Sequence, residues 1–190
     1  MRKFKSLLLA LSLCAFSLIG IQAAHAALGV SALTSSPISS TGGGTGYTGT
    51  CSSPRVLNSI SSYTYPFDAS TAMSYTYGYC ATLASDGLTI ATVGVQSIGA
   101  YGSNYTASTN VQADCGVVGS NTVITGARVY KTANGYTAGV QPQCGTLPNG
   151  ANRSLLGTTL GITTLTYEDI ACNAGSVAVG MNVRSGGILD

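Results

Sequence analysis

Thr122-Val-Ile-Thr-Gly-Ala-Arg-Val-Tyr-Lys131, the tetrapeptide Thr132-Ala-Asn-Gly135, and Tyr136-Thr-Ala-Gly-Val-Gln-Pro-Gln143 form the stretch whose reading decides the fold. Asn134-Gly135 is a dipeptide that tight hairpin turns favour, because both central residues there take positive φ. Before it, Val123, Thr125, Ala127 and Val129 fall on one side of a period-two pattern; after it the chain runs on without a helical period. Together they predict a β-hairpin with one buried face.

The same texture extends outward. Asp86-Gly87 and Asn149-Gly150 mark further turns, and Val177, Val179, Met181 and Val183 alternate with Ala178, Gly180, Asn182 and Arg184. Leu88 to Ser97 and Gly161 to Glu168 are rich in β-branched residues and threonine. No window combines a 3.6-residue period with capping signals, so little or no helix is expected. The class predicted is all-β, built from antiparallel hairpins.

The N-terminus has a different character. Arg2, Lys3 and Lys5 precede an apolar run of 15 residues, Leu7 to Ile21, and Ala24-His25-Ala26 follows as a small-x-small site. This is the three-part pattern of a signal peptide over residues 1–26, with an apolar run too short for a bilayer span of about 20 residues. Residues 27–50, rich in Ser, Thr and Gly, read as a leader, and 51–190 as the all-β domain. The predicted location is secreted, periplasmic or at the cell surface.

Cleavage after Ala26 takes 26 residues from 190 and leaves 164, the size of one domain. It also removes three of the 8 basic residues, so 5 remain against 6 acidic ones, a net charge of −1. Such a surface lacks the basic footprint of nucleic-acid binding and the polybasic cluster that attracts anionic lipid. His25, the 1 histidine, goes too. Without imidazole, Ser-His-Asp and Cys-His nucleophiles and histidine-ligated zinc are excluded. Neither metal nor cofactor is expected.

Only carboxylates remain as general acids and bases: Asp68, Asp86, Asp114, Glu168, Asp169 and Asp190. A glycosidase needs two that face each other. Glu168 and Asp169 are adjacent, and neighbours on a strand point to opposite faces. Asp86 belongs to its turn. Arg128 and Lys131, flanking the hairpin strand, read as solvated cations.

The tyrosines are the candidate binding residues. Tyr63 and Tyr65 precede Pro66-Phe67-Asp68, and Tyr75, Tyr77 and Tyr79 lie in Ser74-Tyr-Thr-Tyr-Gly-Tyr79. Each set shares one parity, so each projects from one face. If the segments pair, five phenols form a flat stripe that stacks on sugar rings while its hydroxyls bond sugar hydroxyls. The plainer alternative is cross-strand aromatic packing, each pair contributing about 0.2–1 kcal/mol.

Cys51, Cys80, Cys115, Cys144 and Cys172 survive cleavage, at intervals of 29, 35, 29 and 28 residues. In an exported chain these are disulfide partners rather than metal ligands, and an odd number leaves one thiol over. The near-constant step suits a recurring strand–turn–strand unit closed by cysteines. Cys115 to Val129 aligns loosely with Cys172 to Val183: each runs Cys, Gly-Ser, an alternating strand with an internal glycine, then valine. Against this stands chance similarity in a chain rich in Gly, Ser and Val.

Cys172-x-x-Gly175-Ser176-Val177-x-Val179-Gly180, followed by Gly186-Gly-Ile-Leu-Asp190, resembles a cysteine-flanked Gly-Ser β repeat of bacterial secreted proteins. More distantly it is similar to the threefold β-prism of vitelline membrane outer layer protein I and the jacalin-type lectins. The resemblance implies a disulfide-stapled, β-prism-like or sandwich assembly of hairpin repeats, in some cases carbohydrate-binding. It implies too that the last unit continues into a strand ending in cysteine, which leaves Cys172 free or intermolecular. The pairing then preferred is Cys51–Cys80 and Cys115–Cys144. Five choices of odd cysteine and three pairings of the rest allow 15 arrangements.

Three functions follow in order. The first is a secreted, non-catalytic β module whose partner is an extracellular glycan or a surface protein. The second is a structural subunit of a surface filament, coat or matrix, which self-associates. The third is a secreted carboxylate hydrolase.

Overall fold

A computed structural model describes residues 45–67, 70–102, 109–133, 135–163 and 166–185. The signal-peptide residues 1–26, the leader up to residue 44, Asp68, Asn134 and Gly186 to Asp190 lie outside them.

Every strand pairing among the described residues is antiparallel. The strands are β1 (Thr45–Thr50), β2 (Arg55–Phe67), β3 (Ser70–Leu83), β4 (Ile90–Gly102), β5 (Thr109–Asp114) and β6 (Thr122–Lys131). They continue with β7 (Thr137–Thr146), β8 (Ala151–Leu155), β9 (Leu160–Gly161), β10 (Thr166–Ala171) and β11 (Gly180–Ser185). The helical content is a single 3-10 turn, Cys115–Val117, capped by Asp114, whose Oδ1 accepts from the Gly116 amide at 2.7 Å. Three sheets result: β4-β3-β2-β5, β10-β6-β7-β8 with β9 also on β7, and the ribbon β1-β11. The fold is all-β, as the alternation predicts.

The hairpin that opened the reading is β6–β7, with Val129 opposite Val140 and Ile124 opposite Cys144. Its turn is closed by the Thr132 amide donating to the Tyr136 carbonyl at 2.8 Å, and Gly135 has φ 85°. The expectation of one buried face is too small, because Thr122 to Ala127 is buried without interruption. The reason lies in the core. Ile124 packs in one cluster with Leu57 and Ala178, while its neighbour Val123 packs in another with Val56 and Val177. Three adjacent pairs, one from each sheet or its entry, thus feed two apolar layers.

The same register recurs three times around this core. Ser59 on β2 pairs with Asp114, Gly126 on β6 with Ala171, and Gly180 on β11 with Thr50. Each partner immediately precedes a cysteine: Cys115, Cys172 and Cys51. Hydrogen bonds tie the sheets together in matching fashion. The Cys51 amide donates to the Val179 carbonyl and the Cys172 amide to the Thr125 carbonyl, both at 2.8 Å. Leu57 N–H to the Ala178 carbonyl and Ala178 N–H to the Ile124 carbonyl are likewise 2.8 Å each. The result is a three-sided, prism-like assembly.

Two boundaries differ from the sequence reading. Thr45–Thr50, assigned by composition to the leader, is strand β1, because β11 supplies a ladder along its whole length. The alternation starting at Val177 becomes strand only from Gly180; Ser176 to Val179 is extended chain that crosses between sheets. Cys51 is bridged to Cys80 and Cys115 to Cys144, while Cys172 is a buried thiol. Each bridge closes a loop of separation 29, worth roughly 3–4 kcal/mol in the chain-entropy model. Such bridges persist in oxidising compartments. No helix among the described residues is long and apolar enough to cross a membrane.

Candidate functional site

The face of the four-stranded sheet turned away from the core gathers the tyrosines. β2 sets Tyr63 opposite Tyr75, Ser61 opposite Tyr77 and Ser59 opposite Tyr79. On the other side of β2, β5 sets Asn110 opposite Tyr63 and Gln112 opposite Ser61. The small serines beneath the larger rings are 1% exposed, whereas Tyr63, Tyr75, Tyr77 and Tyr79 are half-buried. Tyr65 stands further along β2 opposite Ala72, also half-buried.

Four of the rings form an unbroken ladder. Centroids are 5.7 Å apart for Tyr63–Tyr75, 5.9 Å for Tyr75–Tyr77 and 5.3 Å for Tyr77–Tyr79. The interplanar angles are 73°, 64° and 81°, so neighbours meet edge to face. This corrects the picture of a flat stripe. The aromatic quadrupole favours a positive edge against a negative face, and rings two residues apart on a strand satisfy that by turning. The ladder presents a ridged surface of phenol edges and faces.

A polar band runs beside it. Ser61 Oγ donates to Asn110 Oδ1 at 2.9 Å, Asn110 Nδ2 donates to Tyr77 Oη at 3.5 Å, and Gln112 Nε2 donates to Ser59 Oγ at 3.2 Å. Hydrogen bonds from Ser61, with smaller help from Tyr79 and Asn110, hold the Tyr77 phenol below its ordinary pKa. Tyr79 is pushed up, chiefly by its hydrogen bond to Tyr77. Sequence reading found the rings but missed this band, since Asn110 and Gln112 come from a strand some 50 residues from their partners (separations 49 and 53).

The described carboxylates are all engaged. Asp169 grips Arg128 at 2.7 and 2.8 Å, the guanidinium carbon lying 3.9 Å over the Tyr167 ring. Glu168 accepts from Lys131 Nζ at 2.9 Å. Arg128 and Lys131 are therefore ion-paired across β6 and β10 rather than free in solvent. Asp86 accepts from the amides of Leu88 and Thr89 at 2.8 and 3.2 Å, and those bonds keep its carboxyl below the usual range. Among the described residues no group of three or more His, Cys, Asp or Glu could hold a metal ion.

No family model and no curated protein matches the chain. A solved structure that aligns with it is the functional form of the mosquito-larvicidal Cry4Aa toxin from Bacillus thuringiensis, at 10% identity and TM-score 0.35. That alignment covers 67% of this chain and 19% of the toxin chain.

Proposed function

We propose that the protein is an exported, non-catalytic β module that binds glycan on the outward face of its four-stranded sheet. The observation that carries this reading is the juxtaposition of the ladder Tyr63–Tyr75–Tyr77–Tyr79 with the Ser61–Asn110 and Ser59–Gln112 pairs. Phenol faces suit the C–H face of a sugar, and amides and hydroxyls at their margin suit its hydroxyls. Two disulfides and the signal-like N-terminus support export.

The test is retention of the purified protein on a panel of immobilised polysaccharides and on a glycan array. At least one glycan retains the parent, and Tyr75→Ala/Tyr77→Ala/Tyr79→Ala loses that retention while keeping its near-native circular dichroism. Absence of any binding, or a triple variant that binds like the parent, refutes the reading.

A second reading, a structural subunit of a surface filament, coat or matrix, is favoured by one feature. Among the described residues β11 is paired along only one edge. Edge strands invite pairing with another chain.

A further inference from the structure

Three stations around the core can be compared directly. At the first, Cys51 is bridged to Cys80, which stands opposite Leu57 on the adjoining strand β3. At the second, Cys115 is bridged to Cys144, opposite Ile124 on β7. At the third, Cys172 and Ala178 hold the corresponding places, as the matched interstrand hydrogen bonds require. The strands leading out of these stations are β2, β6 and β11.

β2 lies between β5 and β3, and β6 between β10 and β7. β11 has β1 in the place of β5 and β10, and among the described residues no strand in the place of β3 and β7. β4 packs beside the β1–β11 ribbon without joining its ladder. No cysteine follows Cys172 in the sequence, and none stands in residues 27–50. The two strands that do fill this place share a short text, Cys80-Ala-Thr82 and Cys144-Gly-Thr146. The small residue is buried in both.

We propose that the outer edge of β11 accepts an antiparallel strand from another polypeptide segment, one carrying a Cys-small-Thr sequence whose cysteine, set opposite Ala178, bridges Cys172. This deepens the structural-subunit reading and rests on it; the tyrosine face plays no part. Strand addition supplies main-chain hydrogen bonds, and the side chains on alternate positions supply selectivity. The covalent step is thiol–disulfide exchange. The Cys172 thiolate attacks the incoming cysteine, presented as its mixed disulfide with glutathione. A new S–S bond forms, the bond to glutathione breaks, and glutathione leaves as the thiolate.

The probe is a synthetic peptide with the β7 sequence, Thr137–Thr146, its cysteine carried as the glutathione mixed disulfide. It is mixed with the purified full chain, and adducts are followed by mass spectrometry. The peptide couples to Cys172 at least about tenfold faster than a scrambled peptide bearing the same disulfide, a difference of roughly 1.4 kcal/mol in the barrier. N-methylation of alternate amides, which deletes ladder donors, removes that advantage, and Cys172→Ser protein forms no adduct. Equal rates for cognate and scrambled peptides overturn the proposal. Dimers linked through Cys172 of two copies, forming in preference to the peptide adduct, overturn it as well while leaving the structural-subunit reading standing.

Discussion

Arg153 donates from Nη1 to the carbonyl oxygen of Cys172 at 2.7 Å. The same guanidinium reaches the carbonyls of Asn173 at 2.8 Å, Ser176 at 3.3 Å and Gly150 at 3.0 Å. One side chain on β8 thus gathers the acceptors of the turn by which the chain leaves β10 and crosses toward β11. No carboxylate shares the work.

Replacing Arg153 therefore loosens the third station as a unit. Arg153→Met keeps the stem and deletes the fork, and is expected to cost about 1.5–3 kcal/mol, the range for hydrogen bonds to a charged group. Arg153→Lys rescues little, because one ammonium cannot span four carbonyls as a planar fork does. Urea midpoints of the three proteins decide the matter. A methionine variant as stable as the parent would show that water satisfies those carbonyls equally well.

Two glycines mark where strands meet with no room to spare. A Cβ on Gly126 would run into the Ile170 carbonyl oxygen, and one on Gly180 into that of Gly49. Both obstacles are backbone, which cannot rotate away. Gly126→Ala and Gly180→Ala should each destabilise by roughly 1–3 kcal/mol, as overpacking does. Gly46→Ala and Gly157→Ala, where nothing lies within 4 Å, serve as controls with little change. Thermal melts that fail to separate the pairs would contradict the close approach.

The strands were legible where a turn signal and an alternation coincide, as at Val123 to Gln143. They were hidden where a strand owes its existence to a partner. Thr45-Gly-Tyr-Thr-Gly-Thr50 carries the composition of a linker, yet it is β1, because β11 arrives along it from 135 residues away (Thr45 opposite Ser185 through Thr50 opposite Gly180). Distance in sequence also concealed the Arg128–Asp169 and Lys131–Glu168 pairs, separated by 41 and 37 residues. For the candidate site, parity announced which face the tyrosines share. Their mutual tilt, and the amides beside them, follow from ring electrostatics and from β5, neither of which period-two reasoning registers.

The tyrosine ladder should ionise unevenly. Ser61 and Asn110 stabilise oxygen charge on Tyr77, whereas Tyr79 spends its hydroxyl proton on Tyr77. Tyr77 is expected to titrate first, below the ordinary value of about 10, and Tyr79 later, above it. Site-resolved NMR of ring-labelled tyrosine follows both. In Ser61→Ala the Tyr77 midpoint moves back up. Identical midpoints in the parent, or no response to Ser61→Ala, would mean that the rings do not share these bonds in solution.

Cys172 gives the fold an alkaline weakness. Burial in the apolar core pushes its thiol pKa up, and the positive charge of Arg153 offsets only part of that. In the unfolded chain the thiol ionises near about 8.5. Above that pH the unfolded state has released a proton that the folded state still holds, so unfolding gains a driving force. The stability associated with this thiol is therefore complete below about pH 8.5 and declines as pH rises toward the folded value, by at most about 1.4 kcal/mol per pH unit. Urea unfolding at a series of pH values from neutral upward isolates it by difference. Cys172→Ala removes the decline that belongs to the thiol, while the loss that tyrosine ionisation causes remains common to both proteins. Parallel curves for parent and variant across that range would mean that the sulfur reaches solvent in the native state and is not held in the core.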